Sequence, residues 1–254
     1  PSMMYSSAIY PDKNSSLEEA SVHKLDIICK KLQLKPSDEV IEIGSGWCGF
    51  AIHAARNYGC HVTTVTISDA QYSEGKKRIE QAGLTDKITL LKRDYRDITG
   101  RFDKLVSIEM IEAVGHRYHP QFFATCNRLL KEDGVMLLQA ITIRDQVYKQ
   151  YVNTVDFIQR HIFPGGCLPS NERMFQLISS ETDMVVSHLH DFGYDYARTL
   201  KDWRQRFNQS YSELKKIGYD NSFRRLWNYY LSYCEGGFRE RTISVVHLMA
   251  ARSG

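Results

Sequence analysis

Apolar runs at residues 40–43, 60–65, 88–91, 104–108 and 135–140 alternate with stretches of helical periodicity near 50–58, 71–82 and 121–130. Few folds accommodate so long an alternation. Buried strands joined by helices form a mostly parallel sheet with helices on both faces, an α/β architecture. The first run also marks where such a sheet would hold a ligand. Val40-Ile41-Glu42-Ile43 leads directly into Gly44-Ser45-Gly46-Trp47-Cys48-Gly49. Gly44 permits a tight turn, Gly46 lets backbone approach a ligand, and Gly49 lets the following helix pack closely on the strand. The spacing fits the G-x-G-x-x-G pattern of a nucleotide-type cofactor pocket, but taken alone it does not choose the cofactor.

The flanks complete the outline. Ser15-Ser16-Leu17-Glu18-Glu19 holds two overlapping capping-box spacings, and Leu17, Leu25, Ile28 and Leu32 then share one helical face before Pro36. After Ile141 the rhythm breaks, and the turn-rich, aromatic segment 144–170 reads as an insertion over the pocket. The sheet resumes at 184–190 and ends at 243–250, with two helical stretches rich in aromatics and arginine between them. The aromatic stripe there, which includes Trp203, Trp227, Tyr230 and Phe238, is read as core ahead of an acyl-chain site. The chain is thus expected to be one domain over 1–254, with an N-terminal lead-in and helix at 1–38 and substrate-side insertions at 142–182 and 197–240.

Composition narrows the class. The chain has 254 residues with 33 Lys plus Arg against 30 Asp plus Glu, which neither requires nor excludes an anionic partner. Its six cysteines are scattered without a C-x-x-C pair, so reduced thiols in a cytoplasmic protein, and no metal site, are expected. No apolar run approaches the ~18 to 20 residues of a membrane span. The opening Pro1-Ser2-Met3-Met4-Tyr5 reads as a junction, with other sequence expected upstream.

A dinucleotide site wants an acidic residue at the end of the second strand, about 20 residues past the glycines, to hold the ribose. Thr66 stands there, with Gln71 five residues on. S-adenosylmethionine fits better. Glu42, two residues before Gly44, can meet the charged amino-acid end of that cofactor, and Asp94-Tyr95 can supply a carboxylate edge and a ring for the adenine.

These and other landmarks carry a resemblance. They include Met4-Tyr5-Ser6-Ser7-Ala8, Thr66-Ile67-Ser68 with Gln71, Asp94-Tyr95-Arg96-Asp97, the run from Ser107-Ile108-Glu109-Met110-Ile111-Glu112 through Ala113-Val114-Gly115-His116, Ile162-Phe163-Pro164-Gly165-Gly166, Leu168-Pro169-Ser170 and Tyr196. The chain resembles the cyclopropane fatty-acid synthase family, which includes the mycolic acid cyclopropane synthases, and its wording is similar to the methyltransferase domain of plant-type members. The resemblance implies a Rossmann-like class I methyltransferase fold with a seven-stranded, mostly parallel sheet. It also implies a cofactor, S-adenosylmethionine, held by Tyr5, Ser6, Glu42, Gly44, Gly46, Gly49, Thr66, Ile67, Gln71, Asp94 and Tyr95.

The implied reaction inserts a methylene across the cis double bond of an unsaturated phospholipid acyl chain. An alkene is a poor nucleophile, so the site must align it, exclude water and shelter a carbocation; aromatic faces such as Tyr196 can stabilise that cation. In the family the proton is taken by a bound bicarbonate. The positions that hold it correspond to Ser7, Glu112, Gln139, the backbone at Ile141, and Tyr196. Ser7 stands where many members have Cys and Gln139 where many have His, yet a hydroxyl and an amide can still hydrogen-bond an anion. His116 is read as a surface or structural residue, and Cys167 as packed rather than nucleophilic.

Two alternatives remain open: methyl transfer giving a methylene- or methyl-branched chain, and a small-molecule methyltransferase. An apolar channel along 144–170 would favour a lipid, and charges there a polar substrate. A nucleic-acid partner is not expected. Peripheral contact with a membrane through the basic, aromatic segment 198–241 is weighed below a solvated helical face, and a homodimer is left open.

Overall fold

The computed structural model describes residues 2–252. The N-terminal lead-in reaches α1 (Leu17–Lys31), whose cap is Ser16: its hydroxyl accepts from the Glu19 amide while the Glu19 carboxylate accepts from the Ser16 amide, so the second of the two capping-box spacings is the one used. Five strands and three helices follow. They run β1 (Glu39–Ile43), α2 (Gly49–Tyr58), β2 (His61–Thr66), α3 (Asp69–Ala82), β3 (Ile88–Lys92), β4 (Phe102–Ile108), α4 (His119–Leu129) and β5 (Leu130–Ile143). The region after β5 holds α5 (Asp145–Tyr151), α6 (Phe157–His161) and α7 (Asn171–Glu181), then β6 (Met184–Asp191). Three helices, not the two stretches read from the sequence, precede the last strand: α8 (Gly193–Gln209), α9 (Tyr211–Lys216) and α10 (Asn221–Arg239), with β7 (Ile243–Arg252) closing the sheet. The break at Ser210 separates α8 from α9.

The seven strands lie in the order β3-β2-β1-β4-β5-β7-β6. Strands β1 to β5 pair in parallel, and β7 is antiparallel to both β5 and β6. The order reverses between β1 and β4, and the crevice beyond the strand ends at such a point is where open α/β sheets bind ligands. Helices cover both faces: one apolar layer joins α4 and α7 to the sheet, the other joins α1 and α2.

Register then decides which side chains meet. Glu42 on β1 lies directly opposite Thr64 on β2. On the other side of the switch point, Ile108, Gln139, His247 and His190 form one continuous line across β4, β5, β7 and β6. Glu109 follows at the end of β4, its amide bonded to the Gln139 carbonyl at 2.8 Å.

Candidate active site

A cavity of about 1400 Å³ opens over the carboxyl ends of β1, β2 and β4, large beside the roughly 300–1,000 Å³ of ordinary ligand pockets. Gly44 starts its floor at φ +95°, a left-handed conformation that side chains rarely adopt. Tyr5 lies over the turn, since a Cβ at Gly46 would sit 3.3 Å from its ring. The Tyr5 hydroxyl accepts from Gln71 Nε2 at 3.0 Å, and Gln71 Oε1 accepts from the Thr66 hydroxyl at 2.8 Å. Tyr5, Thr66 and Gln71 are thereby one hydrogen-bonded edge of the cavity, with Ser6, Ile67, Asp94 and Tyr95 also in its lining.

One sequence expectation needs correction here. Gly49 does not serve packing of α2 on its strand: a Cβ there would lie 2.6 Å from Met4 Sδ and 3.2 Å from the Ser2 carbonyl, so it is the N-terminal segment that needs the space. Asp94 is not an uncommitted carboxylate. It accepts from the Arg96 amide and is gripped by the Arg96 guanidinium at 2.7 and 3.0 Å, which holds its carboxyl below the usual range. Tyr95 packs edge-on against Phe122, 5.8 Å between centroids.

Beyond the glycine turn, three carboxylates and one ammonium face each other. Glu42 is 2% exposed and accepts from the Thr64 hydroxyl at 2.5 Å; burial pushes it up to about 8 despite that bond and the charge of Lys24. Lys24, wholly buried, donates to the Ser6 hydroxyl at 2.7 Å, and desolvation lowers it to about 8 against the pull of Glu109 and Glu42. Glu112 accepts from the Ile141 amide at 2.6 Å through Oε1, while its buried Oε2 has no partner. Burial, with Glu109 adding to it, raises Glu112 to about 8.

Glu109 is the hub. Its Oε1 accepts from the Ser7 amide and from Gln139 Nε2, each at 2.8 Å, and its Oε2 accepts from the Tyr196 hydroxyl at 2.6 Å. Burial raises its pKa, opposed by the Tyr196 bond, by Lys24 and by the other two donors. The residue sits at φ +49°, a conformation costing a non-glycine residue about 1–3 kcal/mol and kept mainly at functional sites. Behind it the donors run in one direction across the sheet: Lys31 Nζ to His247 Nδ1 at 3.2 Å, His247 Nε2 to Gln139 Oε1 at 2.9 Å, and Gln139 Nε2 to Glu109. This polarity orients the Gln139 amide.

Of the residues expected to hold an anion, the structure brings Ser7, Gln139 and Tyr196 together on Glu109, and Ile141 onto Glu112. Ser7 contributes its amide, not the hydroxyl read from the sequence, which bonds the Ala8 carbonyl at 3.0 Å. These residues do not fit a bound bicarbonate. The donors that would hold it, the Ser7 and Ile141 amides, the Gln139 side-chain amide and the Tyr196 hydroxyl, already end on Glu109 and Glu112. Two members of the site escaped the sequence reading. Lys24 lies on the apolar face of α1, seven residues from Leu17 and four from Ile28, and a lysine there needs a buried anion. Glu109 sits where β4 meets the crevice, a position that itself signals a ligand-facing side chain.

The turn-rich segment after β5 contributes to the cavity wall. Val147, Tyr151, Ile158, Ile162, Phe163 and Leu168 line the same cavity from the 144–170 region, facing Tyr230, Tyr233 and Phe238 of α10; Arg144, Asp156 and Glu240 are the charged exceptions. The aromatic stripe is therefore shared: Trp203 and Trp227 pack against the core, whereas Tyr196, its ring tilted 32° to that of Phe238 with centroids 4.4 Å apart, serves core and cavity together. Cys167 is buried with its thiol pushed up by desolvation, the opposite of an activated nucleophile. Among the described residues no metal-ligating cluster exists, and no helix is long and apolar enough to cross a membrane.

Sheet order, glycine turn and acid-lined crevice together define a Rossmann-like methyltransferase fold. Comparison with known proteins places the chain within that class. The family model for mycolic acid cyclopropane synthetase matches residues 1–248, and the chain belongs to this family. It is 40% identical over 252 residues to the cyclopropane-fatty-acyl-phospholipid synthase of Escherichia coli strain K12, covering 99% of this chain and 63% of that protein. It is 34% identical over 259 residues to a tuberculostearic acid methyltransferase of Mycobacterium tuberculosis, covering 99% of this chain and 60% of the relative. The chain thus spans somewhat less than two thirds of these relatives. Among solved structures, a cyclopropane synthase from Mycobacterium tuberculosis superposes with a TM-score of 0.91 at 28% identity, over 99% of this chain and 91% of the other. A mycolic acid cyclopropane synthase complexed with SAH and CTAB superposes with a TM-score of 0.92 at 26% identity, with the same coverage.

Proposed function

We propose that this chain is the catalytic part of a cyclopropane-fatty-acyl-phospholipid synthase, using S-adenosylmethionine to add a methylene across the cis double bond of a phospholipid acyl chain. The observation that carries this reading is one cavity with two chemistries. Its floor, over the glycine turn, is lined by Glu42, Glu109 and Glu112, and its roof by the apolar side chains of 144–170 and α10. Such a floor suits a cationic cofactor: Glu42 is placed for the ammonium end, Tyr5, Thr66 and Gln71 for the sugar edge, and Asp94 and Tyr95 for the base. The bound cofactor would supply an electrophilic methyl group. The roof excludes water and holds an uncharged chain, and Tyr196 offers its face to the cation that develops on the alkene.

The relatives support a lipid substrate, since the names of those compared carry fatty-acyl phospholipid, tuberculostearic acid and mycolic acid. Exposed Phe163 and Tyr233 stand at the cavity, 55% and 46% exposed, which supports entry of the chain from a membrane surface touched peripherally. The test is incubation with S-adenosylmethionine and vesicles of phospholipid carrying cis-unsaturated chains. Mass spectrometry should find a product heavier by one methylene that resists mild hydrogenation, as a ring does and a branched alkene does not. A product that hydrogenates readily would favour the branched-chain alternative, and no product from any unsaturated lipid would sink the reading.

A further inference from the structure

We propose that the carboxylate of Glu109 is the base that takes the proton from the newly attached methyl group, so that the chain needs no separate anion for ring closure. The inference rests on the reaction proposed above. Glu109 lines the cavity at the switch point of the sheet, beside Glu112 and Tyr196. Three donors of the chain fix its two oxygens: the Ser7 amide, the Gln139 side-chain amide and the Tyr196 hydroxyl. All three act as donors, so the group between them is held as an acceptor. The His247 bond to Gln139 Oε1 keeps the amide turned that way.

The neighbouring acid has a different setting. Glu112 receives a single backbone donor and has an unpartnered buried oxygen, so burial favours its protonated form. Two carboxyl groups whose surroundings separate their protonation states are the usual arrangement for dividing acid and base roles. The left-handed backbone of Glu109 adds a further sign, because a strained conformation at the cavity wall is retained for the position it gives the side chain.

The step balances as follows. The π pair of the alkene forms a bond to the methyl carbon as that carbon's bond to sulfur breaks, its electrons remaining on sulfur. Positive charge develops on the second alkene carbon. A Glu109 oxygen accepts a proton from the methyl group, and the released C–H pair forms the second carbon–carbon bond, closing the ring. Glu109 is left neutral and returns its proton to solvent when the products leave.

The experiment compares wild type, Glu109→Gln and Glu109→Gly in buffer stripped of carbon dioxide, with and without added bicarbonate. Wild type should form product at the same rate in both. Glu109→Gln should lose about 10²–10⁴-fold in turnover, the usual weight of a positioned base, while binding S-adenosylhomocysteine as wild type does. Glu109→Gly removes the strain at φ +49° and so should remain folded; added formate or bicarbonate should restore part of its turnover, a rescue that a merely structural role would not show. Carbon-13 resonances of labelled bicarbonate should shift or broaden saturably with Glu109→Gly and not with wild type. That binding measurement needs no turnover, so its outcome is separable from failure of the proposed reaction. Saturable bicarbonate binding by wild type, wild-type turnover that stops without bicarbonate, or full turnover by Glu109→Gln would each overturn the assignment.

Discussion

The ammonium of Lys24 donates to the Ser6 hydroxyl at 2.7 Å with no exposed surface of its own, one cation set among the site's acids. Its charge lowers the pKa of both Glu42 and Glu109 against their burial. Lys24→Met should therefore do two things. Removing one partner of a buried charge cluster costs about 3–5 kcal/mol, which a thermal melt would register as a clear fall in Tm. The acid limb of kcat/KM should also move to higher pH, because Glu109 loses the cation that favours its ionised form. A variant whose pH profile coincides with wild type would show that Lys24 is purely structural.

Burial of the acids gives the free protein an unusual pH dependence. Glu42 and Glu112 both rise from 4.5 to about 8 in the folded chain. A raised folded value means the native state binds those protons more tightly, so the stabilisation is complete below about 4.5 and is lost as pH climbs through about 8. Lys24 runs the other way: lowered from 10.5 to about 8, it contributes stability above its unfolded value that is lost as pH falls through 8. Buried His119 and His247, whose values burial lowers from 6.5, gain stability only as pH rises to that value, so between about pH 7 and 8 the two acids set the sign. The melting temperature of the unliganded protein should fall across that window, by roughly 2–4 °C for each kcal/mol lost in a chain of this size. Glu42→Gln should flatten the slope; an equal slope in the variant would remove Glu42 as its source.

Much of the fold was legible because it is local. Alternating apolar runs gave every strand to within a few residues, except β5, which begins at Leu130 where an apolar run was read from 135; its register shift against β4 falls in that extra stretch. The glycine turn was legible as a turn, with Gly44 left-handed as the pattern requires, but the reason for Gly49 was not. Whether Gly49 makes room for the strand or for Met4 depends on where residues 2–5 fold back, and no local pattern encodes that. Glu109 and Lys24 were hidden for the same cause. Both are ordinary charged letters until β4, α1 and the Ser6-Ser7 segment converge, and Ser7 then acts through an amide that every residue type possesses.

Gly49 yields a test of that convergence. A methyl at this position would sit 2.6 Å from Met4 Sδ, closer than real contacts allow, and Met4 leads directly to Tyr5 over the glycine turn. Gly49→Ala should push the N-terminal segment outward and weaken S-adenosylhomocysteine binding by about tenfold, roughly 1.4 kcal/mol, with the fold intact. Adding Met4→Ala opens the space again and should recover most of the affinity. Calorimetric titration of the two single variants and the double gives the coupling directly; strictly additive effects would mean the contact does not transmit.

The roof of the cavity separates a lipid substrate from a small polar one. Ile158 of α6 is half-buried and lines the cavity beside Phe163, across from α10. Ile158→Asp places a carboxylate where an acyl chain would have to lie. Burying that charge against methylenes, or paying to keep it solvated, costs about 1–3 kcal/mol, equivalent to roughly 10- to 100-fold in kcat/KM for a phospholipid. Ile158→Leu conserves the volume and should leave the rate near wild type, and neither variant should alter S-adenosylhomocysteine affinity, because the cofactor floor lies over β1 and β2. If Ile158→Asp methylates unsaturated lipid as well as wild type does, the chain does not run under α6, and the substrate must reach Glu109 from another side of the cavity.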